Sequence, residues 1–229
     1  MKFVQQTKRL RICNFDKTLE KDKQIHSDLL PNNVRCLIVG PSGAGKTSVM
    51  LNLLFNPNGL KFENIYLFSK SLYQKKYKFL ETVLSDLSEI NYYKYSDHDK
   101  VIDPDEVKSN SVIIFDDVAC EQQDKMRTFF SICRHKKNNV FYICQTYVKI
   151  PKHLIRDNAN LIIIFQQDEL NLKHIYSDHV NTDMSFETFR EICTKAWLRR
   201  KNGFMVIDKE SDKECGRYRL DFDIYIQDL

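Results

Sequence analysis

Residues 40–47 read GPSGAGKT, which combines three glycines with a lysine and a terminal hydroxyl. The stretch fits G-x-x-x-x-G-K-[ST] in full, the pattern of a phosphate-binding loop. Gly40, Pro41, Ser42, Gly43, Ala44 and Gly45 would let backbone amides curl around phosphate oxygens, and Ser48 would continue the cradle into a helix. That helix start adds the positive end of its dipole. Lys46 would reach the β- and γ-phosphates, and Thr47 would offer its hydroxyl to Mg²⁺. The ligand implied is a nucleoside triphosphate with magnesium.

Two further stretches carry chemistry. VIIFDD, 112–117, ends an apolar run in two acids. Asp116 at the strand tip suits the metal, the Walker B role. Asp117 beside it suits a general base that polarises an attacking water. The alternative for both is the capping of a following helix. VFYICQ, 140–145, ends a second apolar run in an amide. If the two strands are neighbours in a parallel sheet, Gln145 emerges on the same edge as Asp116, where ligands of such sheets bind. Its amide both donates and accepts, so it can orient a water or read the γ-phosphate. The competing reading is a chain that surfaces into a loop.

The elements that must position these residues follow from periodicity. VRCLIVG, ENIYLFS, SVIIFDDV, NNVFYICQ and LIIIF are short apolar runs of buried-strand length, and NYYKYS is a weaker one. KTSVMLNLLFN, YQKKYKFLETVLSDLSEI and EQQDKMRTFFSICRH have helical spacing between them. Strands alternating with helices predict an α/β fold, a mostly parallel sheet flanked by helices. Beyond residue 166, DELNLKHIYSDHV and SFETFREICTKAW predict two more helices, and YRLDFDIYI a last strand. Asn202-Gly203, between WLRRK and FMVID, predicts a β-hairpin turn. The expected organisation is a single domain over 1–229: an arm at 1–33 with RLRICNF as its strand, a nucleotide-binding core at 34–166, and C-terminal helices with a hairpin at 167–229.

Composition sets limits. Of 229 residues 42% are hydrophobic and 29% charged, an ordinary globular balance. The net charge of +4 demands no polyanion, so nucleic-acid contact would rest on local clusters. Three exist: KRLR at 8–11, RHKK at 134–137 and RRK at 199–201, the last on the expected hairpin and able to project into a pore. Seven cysteines, an odd number without Cys-x-x-Cys, argue against a disulfide framework and for an intracellular chain. Cys133, His135, His174 and His179 match no zinc spacing. The first residues lack an apolar signal core, and LIIIF is too short to span a bilayer, so a soluble protein with no membrane partner is expected.

CLIVGPSGAGKTSVMLNLL, VIIFDDV and RHKKNNVFYICQTYVKIPKHLIRDNANLIIIF together resemble the genome-packaging ATPases of poxviruses, other large DNA viruses, virophages and virus-like transposons. These form an FtsK/HerA-like, RecA/FtsK-like branch of P-loop NTPases. The resemblance covers about 34–170 and departs at Cys133, where a glycine is common. It implies a ring of self-associated subunits that drives double-stranded DNA of a viral genome into capsids, with capsid or portal components as partners and the site of virus assembly, or the virion, as location. It also implies an arginine given in trans to a neighbour's γ-phosphate. Arg134 and Arg156 match family positions, and Arg156 is preferred. Two other functions stay open: a P-loop kinase for a nucleotide or small metabolite, disfavoured by the lack of an arginine-bearing lid, and a low-turnover nucleotide-dependent assembly factor.

Overall fold

The computed structural model describes residues 25–96, 101–118 and 123–228. KRLR and RLRICNF lie outside them. Nine strands form one sheet in the order β3-β2-β4-β5-β1-β6-β7-β8-β9. They are β1 Arg35–Val39, β2 Asn64–Ser69, β3 Asn91–Tyr95, β4 Ser111–Asp116, β5 Asn139–Cys144, β6 Leu161–Ile164, β7 Met205–Asp208, β8 Tyr218–Leu220 and β9 Ile224–Tyr225. β1 to β6 run parallel, and β7 to β9 continue the sheet antiparallel from β6.

Among the described residues the α-helices are α1 Lys46–Phe55, α2 Lys75–Ser85, α3 Gln123–Ile132, α4 Glu169–His179 and α5 Phe186–Arg199. They cover both faces, which explains why β1, β4 and β5 are buried at every position and mostly apolar. In β1, Cys36 and Ile38 join Met50 and Leu53 of α1 and Leu80 of α2 on one side. Leu37 and Val39 join Met126 and Phe129 of α3, Leu172 of α4 and Phe189 of α5 on the other. The weak strand at 91–95 is the sheet edge; there Tyr93 and Tyr95 stack on Tyr66 and Phe68 with ring centroids 4.6 Å apart.

Asparagines close the amino ends of the strands. Asn139 Oδ1 accepts from the Val34 amide at 2.9 Å, and Asn160 Oδ1 from the Arg35 amide at 2.8 Å. Asn138 Oδ1 accepts from the Ser111 amide. Buried backbone donors need partners, and these side chains supply them where no neighbouring strand does. Of the expected arm, 25–33 is described: His26 Nε2 meets Asn139 Oδ1 at 3.1 Å, and the Leu29 carbonyl accepts from Arg219 at 2.6 Å. That short stretch therefore packs on the core.

The C-terminal third differs from expectation at Asn202-Gly203. Helix α5 runs on through Trp197 to Arg199, so these residues end a helix rather than turn a hairpin. Asn202 adopts φ 63, and a Cβ on Gly203 would sit 2.2 Å from the Ala196 carbonyl oxygen. An Asn-Gly pair serves both purposes because both need left-handed backbone or close approach. The hairpin is β7–β8 instead, joined across 209–217. The basic run beside Asn202 is neutralised. Arg199 Nη1 bonds Asp221 at 2.7 Å and Asp223 at 2.8 Å, and Arg200 Nε bonds Asp221 at 2.9 Å. Hence 199–203 is no projecting basic hairpin.

Behind β5, the chain from Tyr147 to Arg156 is fastened to α4. The Tyr147 hydroxyl donates to Asp178 Oδ2 at 2.9 Å and lies 2.8 Å from His179 Nε2. Its only proton goes to the carboxylate, so His179 donates from Nε2. Arg156 Nη1 bonds the same Asp178 oxygen at 2.6 Å, with its guanidinium 5.0 Å from the Tyr147 ring centre. The Val148 amide donates to Asn171 Oδ1 at 3.0 Å.

Two predictions follow from these anchors. Asp221 Oδ1 also accepts from the buried Phe204 amide at 3.0 Å. Asp221→Ala should therefore lower stability by about 2 kcal/mol in urea unfolding, chiefly through that orphaned amide, whereas half-exposed Asp223→Ala should cost under about 0.5 kcal/mol. His179 is held neutral, its pKa lowered from 6.5 to about 3 by burial, with the Lys209 charge adding. The unfolded chain then binds a proton the native state refuses. Stability should fall as pH drops from 6.5 toward 3, and His179→Gln should flatten that limb of the urea-midpoint profile.

Candidate active site

The carboxyl ends of β1, β5 and β4 meet at one rim of the sheet. Register places Val39 opposite Cys144, and Ile143 opposite Asp116. Two backbone bonds extend the match past the strands: Gly40 N–H to the Cys144 carbonyl and Asp117 N–H to the Ile143 carbonyl, both 3.2 Å. Gly40, Gln145 and Asp117 therefore emerge side by side. A cleft of 220 Å³ is lined there by Ser42, Gly43, Lys46, Thr47, Asp117 and Gln145 among others, with Asp116 in its floor. The nominated triphosphate-binding, metal and water-activating residues thus share one rim.

The phosphate loop has the backbone its glycines permit. Gly45, just before α1, has φ 109, a conformation that a Cβ would strain. At Gly40 the reason is packing, since an added Cβ would stand 2.5 Å from Phe165 Cβ. Pro41, Ser42 and Gly43 are exposed, Ala44 packs toward the core, and Ser48 lies within the first turn of α1. Lys46 Nζ donates to the Gly40 and Pro41 carbonyls at 2.6 and 2.9 Å. Burial pulls this ammonium below its ordinary range, with the Asp116 charge opposing. A cation so held is ready to exchange two carbonyls for phosphate oxygens.

Asp116 is buried, and Thr47 Oγ1 lies 3.5 Å from its Oδ2. Burial raises its pKa, a hydrogen bond from Tyr77 lowers it, and the Asp117 charge raises it again. The hydroxyl and the carboxylate are hard oxygen donors of the kind Mg²⁺ selects, so the residues present fit that ion. Asp117 is exposed at the cleft mouth with φ 59, a left-handed conformation uncommon for any residue but glycine and tolerated by Asp and Asn. It follows β4 directly and is not in α3, which begins at Gln123.

The arginines fall elsewhere. Arg156 was expected to reach a neighbour's γ-phosphate, but it is 9% exposed and engaged with Asp178 and Tyr147. A side chain that must project into another subunit is ill served by that burial. Arg134 sits in a single 3-10 turn, Cys133–Lys136, before the amino end of β5 and hence on the rim opposite the cleft. Its side chain lies outside the described residues, as does that of His135. Among the described residues no cluster of three or more His, Cys, Asp and Glu could hold a metal. No described helix is long and apolar enough to cross a membrane.

Sequence reasoning missed the first turn of α2. Gln74 and Lys76 line the phosphate cleft, and the Tyr77 hydroxyl bonds Asp116 Oδ2. Tyr77 stands on the same apolar stripe as Leu80 and Leu84, so periodicity marks it as core and says nothing of its oxygen. A second cleft, of 510 Å³, opens beside the loop between Val49, Asn52 and Leu53 of α1, the turn at 200–202, and Phe204 and Phe222.

No curated protein matches the chain significantly. Among solved structures, the genome packaging NTPase B204 from Sulfolobus turreted icosahedral virus 2 in complex with sulfate is 16% identical. It aligns over 87% of this chain and 99% of its own, with a TM-score of 0.54. The same NTPase in complex with ATP-gammaS is also 16% identical, covering 79% and 94% with a TM-score of 0.51. B204, the DNA-packaging ATPase from Sulfolobus Turreted Icosahedral Virus, is 16% identical over 78% and 93%, with a TM-score of 0.51. Such identities concern the fold, a P-loop sheet with flanking helices. Residues 21–182, well over half of the chain, match the family described as poxvirus A32 protein, and the chain belongs to that family.

Proposed function

We propose that the chain is a Mg²⁺-dependent ATPase that moves double-stranded viral DNA into capsids as a ring of like subunits, each a single ATPase domain. The observation that carries this reading is the joint placement of Lys46, Asp116, Asp117 and Gln145 on one cleft. Membership of the A32 family and a fold shared with genome-packaging NTPases support it.

The phosphates lie on the amides of 42–47, with Lys46 on the β- and γ-oxygens. Thr47 and Asp116 would hold Mg²⁺, which would supply positive charge against the charge that develops on the phosphates. Gln145 orients the attacking water by accepting a hydrogen bond from it through Oε1. Asp117 takes the water's proton as its oxygen bonds the γ-phosphorus and the bond to the β–γ bridging oxygen breaks, releasing ADP. The nucleoside takes the cleft on the far side of the loop. There Asn202 abuts Gly45, as a Cβ on that glycine would lie 3.3 Å from Asn202 Cβ. The turn at 199–203, first read as a DNA contact, is thus assigned to nucleotide binding. Lys75, Lys76 and Lys78 of α2 are exposed and make no ion pair with an acid among the described residues. They give the phosphate rim a basic shoulder that suits a DNA backbone without reading its sequence. Arg134, on the opposite rim, is the remaining candidate for the charge supplied to a neighbour.

Phosphate release measured with and without duplex DNA tests the reading. Lys46→Ala should abolish ATP binding. Asp117→Asn keeps the left-handed backbone and should bind ATP, yet hydrolyse it about 10²–10⁴-fold more slowly. Gln145→Ala should behave likewise with a smaller loss, and DNA should stimulate the wild type. Transfer of the γ-phosphate to a small acceptor would make the chain a kinase. Tight ATP binding with no turnover, even with DNA and capsid protein, would leave it an assembly factor.

A further inference from the structure

We propose that Tyr77 is a positioning residue for the metal-binding carboxylate, and that its phenol, not its ring alone, holds Asp116 toward Thr47. This rests on the ATPase reading of the cleft. Tyr77 lies in the first turn of α2 and is 3% exposed. Its hydroxyl donates to Asp116 Oδ2, the same oxygen that Thr47 Oγ1 approaches at 3.5 Å. Ser69 stands opposite Asp116 in the β2–β4 register, beside the carboxylate that Tyr77 and Thr47 approach. Two hydroxyls, from α1 and α2, therefore converge on one oxygen of the Walker B acid.

The need for such a partner follows from burial. A carboxylate at the floor of a cleft loses water on most sides and must find donors. Lys46 helps only through its charge, since its ammonium donates to the Gly40 and Pro41 carbonyls. Tyr77 supplies the donor and also removes a rotational freedom. With one oxygen tied, the carboxylate stays aimed at the Thr47 hydroxyl, so the two groups meant for the ion are preset. Phenylalanine would fill the apolar slot between Leu80 and the sheet equally well, so the hydroxyl is the part that packing does not explain.

The test separates metal binding from packing. Mn²⁺ is titrated into the full chain saturated with a non-hydrolysable ATP analogue, and free and bound ion are read by electron paramagnetic resonance. Tyr77→Phe should raise the Mn²⁺ dissociation constant about tenfold, the worth of one hydrogen bond to a charged group. Metal-free affinity for the analogue should stay within about twofold, and excess Mn²⁺ should restore the bound signal by mass action. In a cycle with Asp116→Asn, the double variant should match Asp116→Asn alone, because Tyr77 acts through that carboxylate. Unchanged Mn²⁺ affinity in Tyr77→Phe, or losses that add in the double variant, would overturn the proposal and leave Tyr77 a core residue. If the wild type itself binds no Mn²⁺ with the analogue, or Asp116→Asn binds it as the wild type does, the ATPase assignment of the cleft falls and this inference with it. Thermal melting of each variant shows that the fold survives.

Discussion

The alignment of three parallel strand ends governs everything at this site. β1, β5 and β4 are in register to their last residues, and the amides of Gly40 and Asp117 carry the ladder one step beyond. That step fixes where a phosphate loop, an amide and an acid pair can stand relative to one another. Side-chain period in a strand is two, so a slip of one residue would turn Asp116 to the other face of the sheet. The aliphatic runs on both faces make such a slip costly, because every residue of β1, β4 and β5 is buried. Packing of the sheet and geometry of the chemistry are therefore one constraint.

This is also why so much could be read from the chain. Short aliphatic strands and amphipathic helices are local patterns, and a strand tip marked by Asp116 or Gln145 needs only the sheet order to become a site. What could not be read depends on contacts across the fold. Asn202-Gly203 favours left-handed backbone wherever it occurs, and whether a helix or a strand precedes it is decided by α5 packing through Trp197, whose indole donates to the Ile164 carbonyl at 3.0 Å. Arg156 looks like a surface cation until α4 brings Asp178 to it and the turn after β5 lays the Tyr147 ring against its guanidinium. Tyr77 fits the hydrophobic stripe of α2, and the partner of its oxygen lies 39 residues away.

The two rims of the sheet divide the labour. Polar residues at the carboxyl rim are exposed or line the cleft, where a phosphate can meet them. At the amino rim they face inward: Asn138, Asn139 and Asn160 are buried and satisfy the first amides of neighbouring strands. The polar residues in RHKKNN and RDNAN, which contribute to the likeness with packaging ATPases, therefore include several whose task is to end a strand. A motif of this kind can be specific to a fold without each member touching a ligand.

The cleft is held with unequal stiffness on its sides. Beyond Gln145, the chain is fastened to α4 by the Val148 amide, the Tyr147 hydroxyl and the Arg156 guanidinium, and Asp178 collects two of these together with Lys152 at 3.6 Å. Such a network, centred on the buried Asp178 carboxylate, favours one arrangement. Facing it, the first turn of α2 touches the site through one phenol and two long side chains, Gln74 and Lys76. Its Gln74 cap has no side-chain hydrogen bond to its own helix amides. A change at Asp116 therefore meets a fixed wall at Gln145 and an adjustable one at α2, and movement started by the nucleotide should pass to the helix that carries Lys75 and Lys78 on its outer face.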